Sequence, residues 1–157
     1  MWIYREITSE LRELAKTFPV VALVGPRQVG KTSLLERVFP EYAYVSLDVA
    51  VQAEAAETRP TDFLSRFPPP VVLDEIQYAP SFFRFIKTEV DKRKGDKGLF
   101  IITGSQNFML LENLSESLAG RAAVVPFLSL SGREWSHARE ISQHFGWQDF
   151  LFRGFFL

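Results

Sequence analysis

Apolar residues recur along this chain with two rhythms, and each rhythm predicts a type of element. Leu11, Leu14, Ala15 and Phe18 stand at i, i+3, i+4 and i+7. That spacing predicts an amphipathic helix over 8–17, with Thr8 or Ser9 as N-cap and Pro19 as its stop. The run "VVALV" (20–24) does not alternate and is rich in β-branched residues, as expected of a strand buried on both faces. Similar runs recur at "YVSL" (44–47), "VVL" (71–73), "LFIIT" (99–103) and "AAVV" (122–125). Between them lie helical patterns, clearest in "SFFRFIKTEVDKR", where Phe83, Ile86 and Val90 form one stripe and Arg84, Lys87 and Asp91 lie elsewhere. Parallel strands need crossover connections, usually helices, so this alternation predicts an α/β fold with a parallel sheet covered on both faces. "FPPPVV" (67–72) makes a stiff extended lead into a strand, and "KRKGDKG" (92–98) reads as a charged, solvated turn.

Composition narrows the class. A chain of 157 residues fits one domain. With 46% hydrophobic and 24% charged residues and a net charge of -1, it reads as globular and lacks the basic excess that marks charge-driven nucleic-acid binding. There is no cysteine, so disulfides and thiolate metal sites are excluded, and a reducing cytoplasm is the simplest home. The charged N-terminus lacks the apolar core of a signal peptide, and no run of about 18 apolar residues predicts a membrane span. His137 and His144 lack nearby partners for a zinc site and read as polar surface side chains.

Against this plain background "GPRQVGKT" stands out, matching G-x-x-x-x-G-K-[ST] with Gly25, Gly30, Lys31 and Thr32. A phosphate chain must come close enough to accept hydrogen bonds from successive backbone N–H groups, which favours glycine at the bends. A helix opening at Lys31 adds free N–H groups and its positive dipole end. Lys31 would reach the β- and γ-phosphates and the Thr32 hydroxyl would ligate Mg²⁺; Pro26, Arg27, Gln28, Val29 and Ser33 complete the predicted nucleotide-binding stretch. The motif follows a predicted strand and opens a predicted helix, "KTSLLERVF", as the chemistry requires.

A second motif fits the first. In "VVLDEIQ" (71–77), Asp74 ends an apolar strand and Glu75 follows it. Asp74 would hold Mg²⁺ or its water, and Glu75 would deprotonate the water attacking the γ-phosphate. A kinase must exclude water, so a water-activating glutamate argues for hydrolysis. Between the motifs lies an extra strand candidate, "AYVSLD" (43–48). Beyond them, Thr103, Ser105 or Gln106 at the end of "LFIIT" offers a polar group to the γ-phosphate, or caps the next helix. Arg121 in "SESLAGR" reads either as a finger stabilising charge on the transferred phosphoryl group, in its own subunit or a neighbour's, or as a surface arginine paired with Glu116 or Glu112.

Taken in order, "LVGPRQVGKTSLLERVF", "YVSLD", "VVLDEIQ", "FIITGSQNFMLL" and "SESLAGR" resemble the prokaryotic AAA-type ATPases, related to the archaeal ATPase family, that carry a C-terminal domain of unknown function. The resemblance implies a three-layer αβα P-loop NTPase whose parallel sheet has an extra strand between the Walker A and Walker B strands. It also implies ATP and Mg²⁺ as ligands and ATP hydrolysis by Glu75, with Ser105 and Arg121 in supporting roles. An ATPase domain is expected over 1–135, and 136–157 is expected to begin a truncated C-terminal region. Its crowded Phe145, Trp147, Phe150 and Phe152 either pack back on the core or start an interface. Expected partners are further copies of the chain, the C-terminal domain or another protein; a nucleotide-binding scaffold without turnover is the alternative.

Overall fold

The computed structural model describes residues 3–105 and 108–141. The elements follow in the order α1 (Thr8–Thr17), β1 (Val20–Val24), α2 (Lys31–Val38), β2 (Ala43–Ser46), α3 (Ala50–Thr58), α4 (Pro60–Arg66) and β3 (Val71–Asp74). A short 3-10 turn (Ile76–Tyr78) comes next, then α5 (Phe82–Lys92), β4 (Phe100–Gly104), α6 (Phe108–Ser117), β5 (Ala122–Pro126) and α7 (Gly132–Ile141). Neither Thr8 nor Ser9 caps α1: the cap position is Ile7, no side chain caps the helix, and the Thr8 hydroxyl instead donates to the Arg5 carbonyl at 2.6 Å.

All strand pairs are parallel, and the sheet order is β2-β3-β4-β1-β5. The strand standing in space between the two motif strands is thus β4, later in the chain. The candidate lying between the motifs in sequence, β2, takes the edge beyond β3. Every residue of β1, β3 and β4 is buried, whereas β2 and β5 bury only Val45 and Val125. The two-sided burial predicted for all five runs therefore holds only for the three central ones.

Strand pleating divides the core into two layers because successive side chains point to opposite faces. Val20, Ala22 and Val24 join Phe63 of α4, Phe83 and Ile86 of α5 and Leu114 of α6. Val21 and Leu23 join Leu11 and Ala15 of α1 and Leu34 and Leu35 of α2. The result is the three-layer αβα arrangement expected of the P-loop class. Helix α7 runs through the boundary expected after residue 135. Gln106, His144 and the aromatic terminal stretch lie outside the described residues.

Candidate functional site

The strands' carboxyl ends carry the two motifs. Backbone conformation shapes the phosphate loop: Gly30 has φ 89 and Gln28 has φ 63, both in the left-handed region. Glycine is required at Gly25 for another reason, since a Cβ there would collide with the Phe127 carbonyl oxygen. Lys31, the first residue of α2, is buried, and its Nζ donates to the carbonyls of Gly25 (2.9 Å) and Pro26 (2.7 Å). Burial lowers its pKa, partly opposed by the charges of Glu75 and Asp74.

Asp74 closes β3 and is buried. Its Oδ2 accepts from the Thr32 hydroxyl at 2.9 Å and from the Tyr44 hydroxyl, and its Oδ1 accepts from the Thr103 hydroxyl. Burial, and then the Asp74 carboxylate, push the Tyr44 pKa up, so the phenol stays a donor. The Thr103 hydroxyl also accepts from the Glu75 N–H at 3.1 Å. Thr103, named in sequence as one choice for the γ-phosphate, is fully engaged in joining the two acidic residues. Glu75 itself has φ 56, and its Oε2 accepts from the Gln77 amide. Ser105 follows β4 and thus emerges between the two motif strands. Across the mouth of the site, Arg27 donates to the Tyr78 hydroxyl at 2.7 Å.

Hydroxyl and carboxylate oxygens at Thr32 and Asp74 form a hard donor pair suited to Mg²⁺. Among the described residues, no group of three or more His, Cys, Asp or Glu makes an all-protein metal cage.

The family described as AAA domain matches residues 17–136. This chain belongs to the AAA domain family. Curated relatives of the AAA domain include uncharacterized proteins of Mycobacterium tuberculosis and Mycobacterium bovis, each 34% identical over 131 residues, covering 83% of this chain and 30% of the relative. The chain thus spans less than a third of those relatives' length. Among solved structures, it is similar to a Walker-type ATPase of Pyrococcus abyssi, with TM-score 0.59, 18% identity, and 89% of this chain and 59% of that one covered. It is also similar to AMPPCP-bound DnaA from Aquifex aeolicus, with TM-score 0.56, 19% identity, and 90% and 50% covered. These likenesses show the P-loop ATPase fold. No helix among the described residues is long and apolar enough to cross a membrane.

The AAA domain departs from expectation at Arg121. This residue immediately precedes β5, and its carbonyl accepts from Val20 N–H at the start of β1. It therefore lies at the amino ends of the strands, a full strand length from the phosphate loop, and a finger role within its own subunit is ruled out by that placement. Its guanidinium is bidentate to Asp91 of α5, at 2.7 and 3.0 Å, rather than to Glu116 or Glu112.

Sequence reasoning missed a second feature, behind the loop. Arg5 and Glu134 form a buried ion pair at 3.0 Å, 129 residues apart in the chain. One half was legible: Ser131-Gly-Arg-Glu134 is a capping box, in which Ser131 N–H donates to Glu134 Oε2 (2.8 Å) and Glu134 N–H to Ser131 Oγ (3.2 Å).

Proposed function

We propose that this AAA domain binds ATP with Mg²⁺ and hydrolyses it to ADP and phosphate. The observation that carries this reading is the convergence of two motifs 42 residues apart, with Thr32 Oγ donating to Asp74 Oδ2 at 2.9 Å beside Lys31. The loop amides of residues 27–31 and the start of α2 would bind the phosphates, with Lys31 exchanging its two carbonyl acceptors for β- and γ-phosphoryl oxygens. Mg²⁺, held by Thr32 and Asp74, would neutralise charge on those oxygens. Glu75 takes a proton from the attacking water as its oxygen bonds to the γ-phosphorus. The bond from that phosphorus to the bridging oxygen breaks, and ADP leaves with the electron pair. Ser105 offers its hydroxyl to the γ-phosphate. Arg121 serves the nucleotide of a neighbouring subunit, and turnover drives a partner or a further domain of the longer protein.

Phosphate release tests this. Lys31→Ala is expected to abolish ATP binding, and Glu75→Gln to keep binding while slowing release by about 10²–10⁴-fold. Wild-type protein that releases phosphate no faster than Glu75→Gln would overturn hydrolysis. In the same experiment, mixing Arg121→Ala with Glu75→Gln subunits restores turnover only if Arg121 acts across subunits. One observation favours a second reading, a nucleotide-binding switch without turnover: the Gln77 amide occupies the Glu75 carboxylate. It predicts ATP binding without phosphate release, and release appearing in Gln77→Ala.

A further inference from the structure

Arg5 is buried in the segment preceding α1 and spends its donors on three separate pieces of chain. Its Nη1 donates to the Val29 carbonyl inside the phosphate loop at 3.0 Å. Its Nη2 donates to the carbonyls of Leu128 (2.7 Å) and Ser129 (3.3 Å), beyond β5. Its Nε donates to Glu134 Oε1 in the first turn of α7 at 3.0 Å. The guanidinium carbon lies over the Phe127 ring, 4.1 Å from its centroid, and the Phe127 carbonyl is the group pressed against Gly25. Glu134 is engaged on every side, accepting from Glu6 N–H (2.9 Å) as well as from Ser131 N–H and Arg5.

Such a hub costs desolvation of two charges, and a buried pair is weak evidence for stability alone. What the arrangement does is geometric. A planar guanidinium with donors fixed in a fork can hold Val29, the 127–129 stretch and Glu134 in one mutual orientation, which a lysine ammonium cannot. We propose that Arg5 is a positioning residue that sets the phosphate loop from behind, and that through Glu134 it couples the loop's conformation to the seating of α7. Filling the loop with nucleotide then tightens α7, and displacing α7 loosens the loop. Coupling of this kind is reciprocal. The effect on nucleotide rests on the ATP-binding reading above; the mechanical link does not.

The test compares wild type, Arg5→Lys and Glu134→Gln. The first keeps the charge but lacks the fork; the second keeps the shape and one acceptor oxygen but removes the charge that orients Arg5. In nucleotide-free protein, both are expected to raise amide hydrogen exchange in residues 27–30 by about tenfold, the loss of one charge-assisted hydrogen bond. Titration with AMPPCP and Mg²⁺ is expected to show binding weakened by about tenfold in both. In wild type, AMPPCP slows exchange at the amides of Ser131 and Trp135, and in Glu134→Gln that response is lost. Val90→Ala, a core change in α5 remote from the loop, controls for general destabilisation. If it alters loop exchange as much as Glu134→Gln at equal loss of melting temperature, the coupling is overturned, as it is if loop exchange in both hub variants equals wild type. A wild type that fails to bind AMPPCP sinks the ATP reading, while the exchange comparison still decides the mechanical link.

Discussion

Two aspartates mark the two ends of the sheet, and they are treated in opposite ways. Asp91, near the amino ends of the strands, is half exposed and gripped by both arms of Arg121, which holds its carboxyl pKa down through that hydrogen bond. Asp74, at the carboxyl ends, is buried and accepts only from hydroxyls, those of Thr32, Tyr44 and Thr103. A carboxylate already paired with arginine has little left to offer a ligand. One surrounded by neutral donors keeps its charge for a cation. Surface pairs like the first contribute little, so the two ends differ in purpose more than in composition.

The largest effect is expected at Asp74. Saturation with Mg²⁺ and ATP at about 100 times Kd stabilises a binding-competent protein by about 2.7 kcal/mol. Asp74→Asn should abolish most of that gain, read as the nucleotide-induced shift in thermal midpoint. A retained shift would break the contrast between the two aspartates. Next comes Thr103→Val, which preserves shape but leaves the Glu75 N–H without its acceptor and Asp74 Oδ1 without its donor. It should cost about 1–3 kcal/mol in urea denaturation.

Glu134 sharpens the comparison, being a buried carboxylate with both kinds of partner. Burial pushes its pKa up, but the Ser131 and Glu6 amides and the Arg5 guanidinium outweigh it and hold the pKa below the usual glutamate value. A depressed folded pKa means stability that is present above the unfolded value, about 4.3, and lost as pH falls through the folded one. Glu134→Gln should therefore be less stable than wild type at pH 7, and the gap should narrow below about pH 4. Smallest of all, Asp91→Asn should leave the thermal midpoint and nucleotide binding unchanged within error.

Legibility in the sequence tracked how local each feature is. The phosphate loop was readable because its residues shape one continuous bend that opens a helix, and Asp74 with Glu75 because they end an apolar run. The Arg5–Glu134 hub was not, because no pattern in 3–7 announces a partner 129 residues away. Arg121 misled for a different reason. Its motif follows β4 in sequence, yet a residue directly before a parallel strand must sit at the sheet's amino end, opposite the ligand side. The edge strands β2 and β5 were found by their apolar runs, but which strand stands at an edge depends on crossover order, which apolar content does not encode.

The grip of Lys31 on the Gly25 and Pro26 carbonyls has a kinetic and entropic consequence. A lysine recruited from solvent would forfeit about 1.5–2 kcal/mol of rotamer freedom when it met a phosphate. Here that freedom is already spent in folding, and the ammonium swaps acceptors instead of searching for them. The loop is preorganised, and nucleotide capture by this AAA domain should carry a small ordering penalty.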